Sequence, residues 1–242
     1  MTAGLAGGGA DGPGEHRPPR ARVAVLISGR GSNMAALLAA AAAPDYPAEI
    51  ALVLANRADA GGLALAAAQG VPTALVESRA YRGDRAGFEA AMDAELVRHD
   101  IRIIALAGFM RVLTEGFVAQ WDGRMINVHP SLLPAFPGLD THARALAAGV
   151  RLHGCTVHLV SAGVDEGPIL AQAAVAVLPE DTEATLAARV LAQEHLLYPA
   201  ALGWLAAGRV ALAGGVARVD GVVAAGGSLV NPLPAAPRLS KG

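Results

Sequence analysis

The chain has 242 residues, of which 53% are hydrophobic, 17% charged and 4% aromatic, and its formal net charge is −2. An apolar fraction of this size can build a buried core, so the composition excludes disorder for the chain as a whole. There is no basic block, which argues against a nucleic-acid or anionic-membrane partner, and the single cysteine, Cys155, excludes an internal disulfide.

The amino-terminal residues do not resemble a targeting sequence. Met1–Arg20 are rich in Gly and Pro and lack the basic and apolar segments of a signal peptide. The most apolar stretches, Met34–Ala43 and Leu196–Ala207, are too short to cross a bilayer or contain a proline. These features predict a soluble, cytoplasmic protein.

Strands and helices alternate through the first half of the chain. Short apolar runs predict strands at Val23–Ile27, Ile50–Ala55, Thr73–Val76 and Ile101–Ala107. Helices are predicted in the alanine-rich stretch that ends before Pro44, at Ala58–Gln69 with Gly70 as a left-handed cap, and at Arg85–Arg98 with Phe88, Met92 and Leu96 on one face. The alternation predicts a doubly wound, mostly parallel α/β sheet, with the nearly uncharged fourth strand at its centre.

The later strands are expected to pair differently. Met125–Val128 is a short predicted strand, and Cys155–Val160 and Ile169–Val177 are two more. The loop between the last two is too short for a crossover helix, so antiparallel pairing is expected in the carboxyl-terminal part.

A long helix and a hairpin follow these strands. Thr182–Leu205 is the predicted helix, with Asp181 or Thr182 as its cap and Pro199 kinking or ending it. Val210–Val223 alternates in hydrophobicity and predicts a terminal hairpin. Without a repeat or an interdomain linker, we expect one domain over residues 22–223, a disordered extension over 1–21 and a flexible tail over 224–242.

The first motif that could carry chemistry is Ser28-Gly29-Arg30-Gly31-Ser32-Asn33, between the first strand and the first helix. Glycines let backbone amides approach an anion, and a helix start adds free N–H donors. The pattern is neither the dinucleotide fingerprint nor a Walker loop. It predicts either a phosphate site or an ordinary turn capped by Ser32 or Asn33.

The second motif, Asn127–Pro134, lies at the end of a strand. Alternation puts Asn127 and His129 on the same side, where an amide could donate to an oxyanion and an imidazole could exchange protons. Ligands bind at this end of strands in α/β folds. Taken alone, His129 is better explained as a structural histidine; Asn127 and the loop held by two prolines make a catalytic role an equal alternative.

The third motif is Asp165-Glu166-Gly167-Pro168, in the loop between two late strands. A carboxylate here could pair with the imidazole and fix its tautomer. The pattern by itself favours a turn-forming aspartate before Gly-Pro. The other histidines, which receive less weight, show no metal-ligand spacing, so no metal site is expected; they are His16, His99, His142, His153, His158 and His195.

Four motifs in order resemble those of the glycinamide ribonucleotide formyltransferases, folate-dependent enzymes of purine synthesis. They are Ile27–Asn33, Ala107–Leu113, Asn127–Pro134 with Pro137-Gly138, and Val164–Pro168. The resemblance covers roughly Arg22 to the region of Val210, so the domain over residues 22–223 is expected to be a formyltransferase domain.

The resemblance implies transfer of a formyl group from 10-formyltetrahydrofolate, as co-substrate, to the primary amine of glycinamide ribonucleotide. The catalytic residues implied are Asn127, His129 and Asp165. Asn127 and protonated His129 would stabilise the oxyanion, and Asp165 would hold the imidazole charged and assist proton transfer. The reaction would need no metal.

The same resemblance implies two groups of binding residues. The nucleotide would contact Gly31, Ser32, Asn33 and Glu194. The folate would contact Arg85, Met110, Arg111, Val112, Leu113, Asn127, Ser161, Ala162, Gly163, Val164 and Asp165. Plain core packing is the alternative for Met110, Val112 and Leu113. Leu191 stands where a polar or basic residue is usual, and Arg189 could compensate, although it faces elsewhere on an ideal helix.

Three rival functions share some of these features. Methionyl-tRNA formyltransferases usually add a C-terminal barrel domain, and formyltetrahydrofolate deformylases an N-terminal regulatory domain, for which this chain has no room. A nucleotide-binding module without chemistry would not need Asn127, His129 and Asp165 together. We expect small-molecule substrates, no nucleic-acid or membrane partner, and leave a homodimer open.

Overall fold

The computed structural model describes residues 19–222, 226–227 and 229–231. The predicted N-terminal extension and C-terminal tail lie mostly outside these residues and stay predictions. The strands are β1 (Ala21–Ile27), β2 (Ala48–Ala55), β3 (Thr73–Leu75), β4 (Ile103–Leu106), β5 (Met125–His129), β6 (Leu152–Leu159), β7 (Ile169–Ala176), β8 (Val210–Ala213) and β9 (Val216–Val219). The helices are α1 (Ser32–Ala41), α2 (Gly62–Ala68), α3 (Arg85–Arg98), α4 (Glu115–Gln120), α5 (Thr141–Ala147) and α6 (Glu183–Ala206), with a 3-10 turn at Ser78–Tyr81.

A seven-stranded sheet in the order β3-β2-β1-β4-β5-β6-β7 organises the fold. The pairs from β3 to β5 are parallel, whereas β6 runs antiparallel to both β5 and β7. Strand β4 is at the centre and fully buried. The predicted mostly parallel α/β sheet with antiparallel strands in its later part is therefore confirmed, and β8 and β9 form a separate hairpin.

Each face of the sheet is covered by helices. Alternate residues of β1 point to opposite faces, so Val25 packs with α1 and α6, and Leu26 packs with α3 and α4. On the second face, Phe88, Met92 and Leu96 of α3 are buried as their spacing predicts. The carboxyl ends of the parallel strands are left free to carry a site between the two layers.

Helix α6 is hydrogen-bonded to strands β4 and β5 of the sheet. Thr182 caps it through a capping box with Thr185, which confirms one of the two predicted caps. Pro199 lies inside the helix and does not end it, so the ending alternative is wrong. The fully buried Tyr198 directs its hydroxyl to the carbonyl oxygens of Leu106 (2.9 Å) and Ile126 (3.2 Å), on β4 and β5.

The predicted elements differ from those of the structure in three respects. Helix α2 begins at Gly62 rather than at residue 58, because the preceding residues form turns and the Gly62 amide donates to the Gly29 carbonyl (3.1 Å). Helices α4 and α5 were not predicted, since six and seven residues give too little periodicity. The hairpin ends at Val219, earlier than predicted. Gly70 is left-handed as expected, with φ 74°.

Across the described residues, no helix has both the length and the apolar character needed to span a bilayer.

The Tyr198 hydroxyl should contribute to stability because it is the donor for two carbonyl oxygens in the middle of the sheet. We expect Tyr198→Phe to lower the free energy of unfolding by about 1–2 kcal/mol, measured by urea denaturation. Tyr81→Phe is the matched control, since Tyr81 is partly exposed and packs on Phe88. Equal stability losses in the two variants would contradict this role.

Candidate active site

The antiparallel pairing of β5 and β6 assembles the polar groups of the site. In this register Asn127 lies opposite His158, and His129 lies opposite Thr156. The chain then leaves β6, turns, and brings Asp165 back against the end of β5. The predicted trio of Asn127, His129 and Asp165 is therefore gathered at one end of the sheet.

His129 is buried and both of its ring nitrogens face oxygen acceptors. Its Nδ1 lies 3.3 Å from Oδ2 of Asp165, and its Nε2 lies 3.0 Å from the carbonyl oxygen of Phe136. Neither a carboxylate nor a carbonyl oxygen can donate a hydrogen bond, so this arrangement suits a ring with a proton on each nitrogen. The two acceptors hold the ring in one orientation at the end of β5.

Asp165 combines the two roles that the sequence left as alternatives. Its backbone is left-handed, with φ 57°, a conformation that aspartate adopts more readily than most residues. Its side chain is 11% exposed, and Oδ2 also accepts from the Gly138 amide at 2.8 Å. The turn therefore aims the carboxylate at His129, and the Gly138 amide fixes it there.

His158 also contacts residues of the site, although no motif in the sequence singles it out. Its Nδ1 lies 2.9 Å from the Leu159 carbonyl oxygen, so this nitrogen carries the proton. Burial lowers the pKa of His158, which favours the neutral ring and leaves Nε2 as an acceptor. Nε2 lies 3.2 Å from Nδ2 of Asn127, and 3.9 Å from Oδ1 of Asp165. His158 could have been recognised as a site residue only by predicting the antiparallel register, in which it lies opposite Asn127.

The His158 contact leaves part of the Asn127 amide available. The amide nitrogen carries two hydrogens, and His158 accepts only one of them. The second N–H can donate to another acceptor. His158 thereby fixes the direction in which the Asn127 amide points.

Gly31 gives the first loop the shape of an anion site. It precedes α1 with φ 79°, and a Cβ there would lie 3.1 Å from both Gly62 Cα and the side chain of Met34. No side chain caps α1, so the turn capped by Ser32 or Asn33 is wrong. The first-turn N–H groups, including those of Ser32 and Asn33, have no intrahelical acceptor.

The predicted nucleotide residues converge at the start of α1. Asn33 Nδ2 donates to Oε2 of Glu194 at 2.6 Å, which joins α1 to α6. Glu194 is 6% exposed, and burial raises its pKa. Oδ1 of Asn33 is buried without a hydrogen-bond partner among the described residues. Arg189 does not compensate for Leu191, because its guanidinium binds both carboxylate oxygens of Asp181, at 2.7 and 2.8 Å.

Residues 108–114, which we call the strap, run from the end of β4 to α4 and are anchored at both ends. Near the first end, Met110 N donates to the Ser28 hydroxyl oxygen at 2.8 Å. At the second end, Thr114 N donates to Oε1 of Glu89 at 2.6 Å, and the Thr114 hydroxyl donates to Oε2. The strap therefore links the first loop to α3.

The side chains of the strap divide between the core and the surface, and Phe109 is buried in the hydrophobic core. Met110 is 67% exposed and Val112 is 60% exposed, so the core-packing alternative is wrong for both. Leu113 is partly buried and does pack against the hydrophobic core. The Arg111 guanidinium lies 5.9 Å from the centre of the Phe88 ring, and Arg85 is exposed one helical turn before Phe88.

A pocket opens beside Asp165, next to the predicted folate loop over residues 161–165. Val164 forms part of its rim and is 55% exposed. The pocket is lined by Leu133, Pro134, Pro137, Val164, Asp165, Glu166, Gly167 and Ile169. In the part of the chain that the structure describes, no three His, Cys, Asp or Glu side chains are grouped as metal ligands would be.

Comparison with known proteins identifies the family. The formyl transferase family matches residues 21–202. The chain belongs to the formyl transferase family. Among relatives of this family, phosphoribosylglycinamide formyltransferase from Escherichia coli (strain K12) is 39% identical over 199 residues, covering 82% of this chain and 93% of that protein. The trifunctional purine biosynthetic protein adenosine-3 of Homo sapiens is 47% identical over 193 residues, 80% of this chain, but the chain spans only 19% of that protein.

Solved formyl transferases share this fold. Glycinamide ribonucleotide transformylase 1 from Symbiobacterium toebii superposes with a TM-score of 0.81 and 43% identity, covering 84% of this chain and 95% of that chain. The phosphoribosylglycinamide formyltransferase of Brucella melitensis is 55% identical, with a TM-score of 0.74 over 80% of this chain and 100% of that chain. The chain is thus a homologue of the phosphoribosylglycinamide formyltransferases.

Two further histidines lie close to Phe136. His153 is buried, and its Nε2 lies 3.2 Å from Nδ1 of His142. Its ring packs edge-on against Phe136, whose carbonyl faces His129. Burial, together with the neighbouring His142 ring, lowers the pKa of His153 to about 4.

Protonation of His153 should destabilise the fold. In the unfolded chain its pKa is about 6.5, above its folded value of about 4. Between these values the unfolded state binds more protons, so the free energy of unfolding falls as the pH decreases from 6.5 towards 4. The contribution is at most about 1.4 kcal/mol per pH unit.

The measurement is urea denaturation between pH 8 and pH 5, on the parent chain and His153→Gln. The variant should lose less stability across this range because it lacks the titrating ring. Values at pH 8 correct for the packing change. An identical decrease in both proteins would show that His153 does not contribute to the pH dependence.

Proposed function

We propose that this chain transfers the formyl group of 10-formyltetrahydrofolate to the primary amine of glycinamide ribonucleotide in purine biosynthesis. The observation that carries the proposal is the convergence of Asn127, His129 and Asp165 at the end of β5. Formyl transferases use 10-formyltetrahydrofolate as their co-substrate. The proposed formyltransferase domain spans residues 22–223. We also propose a cytoplasmic location, with which small-molecule substrates are consistent.

The nucleotide phosphate is proposed to bind at the start of α1. The free amides of Gly31, Ser32 and Asn33 face this position, and the helix dipole adds a positive field. Glu194, held by Asn33 at 2.6 Å, would accept from a ribose hydroxyl. Lys241 is the single lysine, so a fixed positive charge beside the phosphate must come from an arginine among the described residues.

The folate is proposed to lie between the strap and the loop over residues 161–165. The exposed Met110 and Val112 would offer an apolar surface to a pterin ring, and the pocket beside Asp165 is the proposed second wall. Arg85 and Arg111 are the arginines that we propose for the folate carboxylates. The full set is Arg85, Met110, Arg111, Val112, Leu113, Asn127, Ser161, Ala162, Gly163, Val164 and Asp165.

In the proposed reaction, the amine of the nucleotide attacks the formyl carbon and forms a C–N bond. The carbonyl oxygen becomes an oxyanion, which accepts from the free N–H of Asn127 and from the imidazolium of His129. His129 gives up its contact with the Phe136 carbonyl for this stronger acceptor. Asp165 balances the imidazolium charge while the oxyanion forms.

Collapse of the tetrahedral intermediate breaks the bond between the formyl carbon and the folate nitrogen. One proton leaves the attacking amine and one is delivered to the folate nitrogen, so the charges balance. Asp165 and His129 are the groups placed to pass this proton, through water. The products are the formylated nucleotide and tetrahydrofolate.

The reaction class is tested by following the loss of 10-formyltetrahydrofolate with and without glycinamide ribonucleotide. We expect turnover only when the nucleotide is present. The formyltetrahydrofolate deformylase of Pseudomonas syringae pv. tomato str. DC3000 shares the fold, with a TM-score of 0.78 at 24% identity. Turnover without the nucleotide would favour such a hydrolase, and no turnover in either case would favour a binding module.

Two substitutions test the catalytic roles. We expect His129→Ala and Asp165→Asn each to lower kcat by about 10²- to 10⁴-fold, because the first removes the cation that faces the oxyanion and the second removes the carboxylate that keeps the imidazole charged. Circular dichroism and thermal unfolding should show an intact fold. Asp45→Asn, at an exposed carboxylate, is the matched control and should keep the parent kcat. Rates near the parent value in both active-site variants would overturn the mechanism.

A further inference from the structure

Glu89 is a buried carboxylate for which the proposed reaction has no use. It lies on α3 and is 6% exposed. Oε1 accepts from Thr114 N at 2.6 Å, and Oε2 accepts from the Thr114 hydroxyl. Both oxygens therefore bind the same residue, at the end of the strap. Among the described residues, no Arg or His side chain forms an ion pair with Glu89.

A carboxylate is an expensive group to place here if packing were its only purpose. Burial of a charge costs free energy unless hydrogen bonds compensate for it, and an apolar side chain of similar size would fill the space without that cost. Hydrogen bonds to a charged acceptor are stronger than neutral ones. The position is thus suited to hold Thr114 firmly.

Thr114 in turn restrains two segments, helix α4 and the strap. It is the residue that caps α4, since its hydroxyl oxygen also accepts from Phe117 N at 3.3 Å. It also ends the strap, whose other anchor is the Ser28 hydroxyl bound to Met110 N. Between these anchors, the backbone of residues 111–113 forms no hydrogen bond with any described residue. The shape of this stretch therefore depends on its two ends.

We propose that Glu89 is a positioning residue for folate binding, which acts by fixing Thr114 and thereby the free backbone of residues 111–113. The inference rests on the proposed function, because the strap is one wall of the proposed folate site. The nucleotide residues lie on α1 and α6, across the sheet from α3. Loss of Glu89 should therefore affect one substrate and spare the other.

The test compares Glu89→Leu, which keeps the side-chain volume, with Glu89→Gln, which keeps an acceptor for Thr114 N. Asp93→Ala is the matched control, because Asp93 lies one turn further along α3 and also bonds to α4, at Gln120 (2.7 Å), without touching the strap. For each protein we would measure Kd for 10-formyl-5,8-dideazafolate by calorimetry, KM for both substrates, kcat, and hydrogen exchange of the amides of residues 110–114.

We expect Glu89→Leu to raise the folate Kd and KM about ten- to a hundredfold, with faster strap exchange and an unchanged KM for the nucleotide. Glu89→Gln should restore part of the affinity, and Asp93→Ala should match the parent chain. Parent-like folate affinity in Glu89→Leu, or an equal rise in KM for both substrates, would overturn the inference. A parent chain that binds no folate would instead refute the proposed function.

Discussion

The antiparallel pairing of β5 with β6 is the constraint on which the site depends. Parallel strands would deliver their carboxyl ends side by side, but each would need a crossover helix before the chain returned. Reversal at β6 places His158 directly opposite Asn127 and lets one short loop bring Asp165 back to His129. The register of β5 with β6 and the loop that follows β6 thus bring four polar side chains together, namely Asn127, His129, His158 and Asp165.

The electrostatics of the site follow from which neighbours can donate hydrogen bonds. His129 faces only acceptors, a carboxylate and a carbonyl, so either ring nitrogen has an oxygen to which an N–H could donate. His158 faces an acceptor at Nδ1 and an amide donor at Nε2, and burial lowers its pKa, so its environment suits a neutral ring. We propose that these two histidines, both close to one carboxylate, have different tasks, one in charge stabilisation and one in orienting Asn127.

Much of the fold could be predicted from the sequence because strands and helices alternate with clear periodicity. The bounds of α3 follow directly from its apolar spacing, and local signals limit the cap of α6 to Asp181 or Thr182. For Asp165 the residues alone favour a turn-forming aspartate, and its pairing with His129 is implied by the resemblance to the formyltransferases. The structure places these two groups 3.3 Å apart.

What the sequence could not supply is information that exists only across strands or between layers. His158 joins the site through the register of β5 with β6, which no local pattern reports. Glu89 reads as one more charge on an amphipathic helix, and its burial follows only from how α3 packs against the strap. Met110 and Val112 could be either core or folate-contacting residues in the sequence, and the strap leaves both exposed. We propose that a ligand surface replaces the core at these positions.

The proposed mechanism is tested most directly by a crystal structure with glycinamide ribonucleotide and 10-formyl-5,8-dideazafolate bound together. We expect the formyl oxygen at about 2.7–3.2 Å from Asn127 Nδ2 and from a ring nitrogen of His129. We also expect the phosphate on the first-turn amides of α1. A formyl group directed away from Asn127 and His129, or a phosphate bound elsewhere, would contradict it.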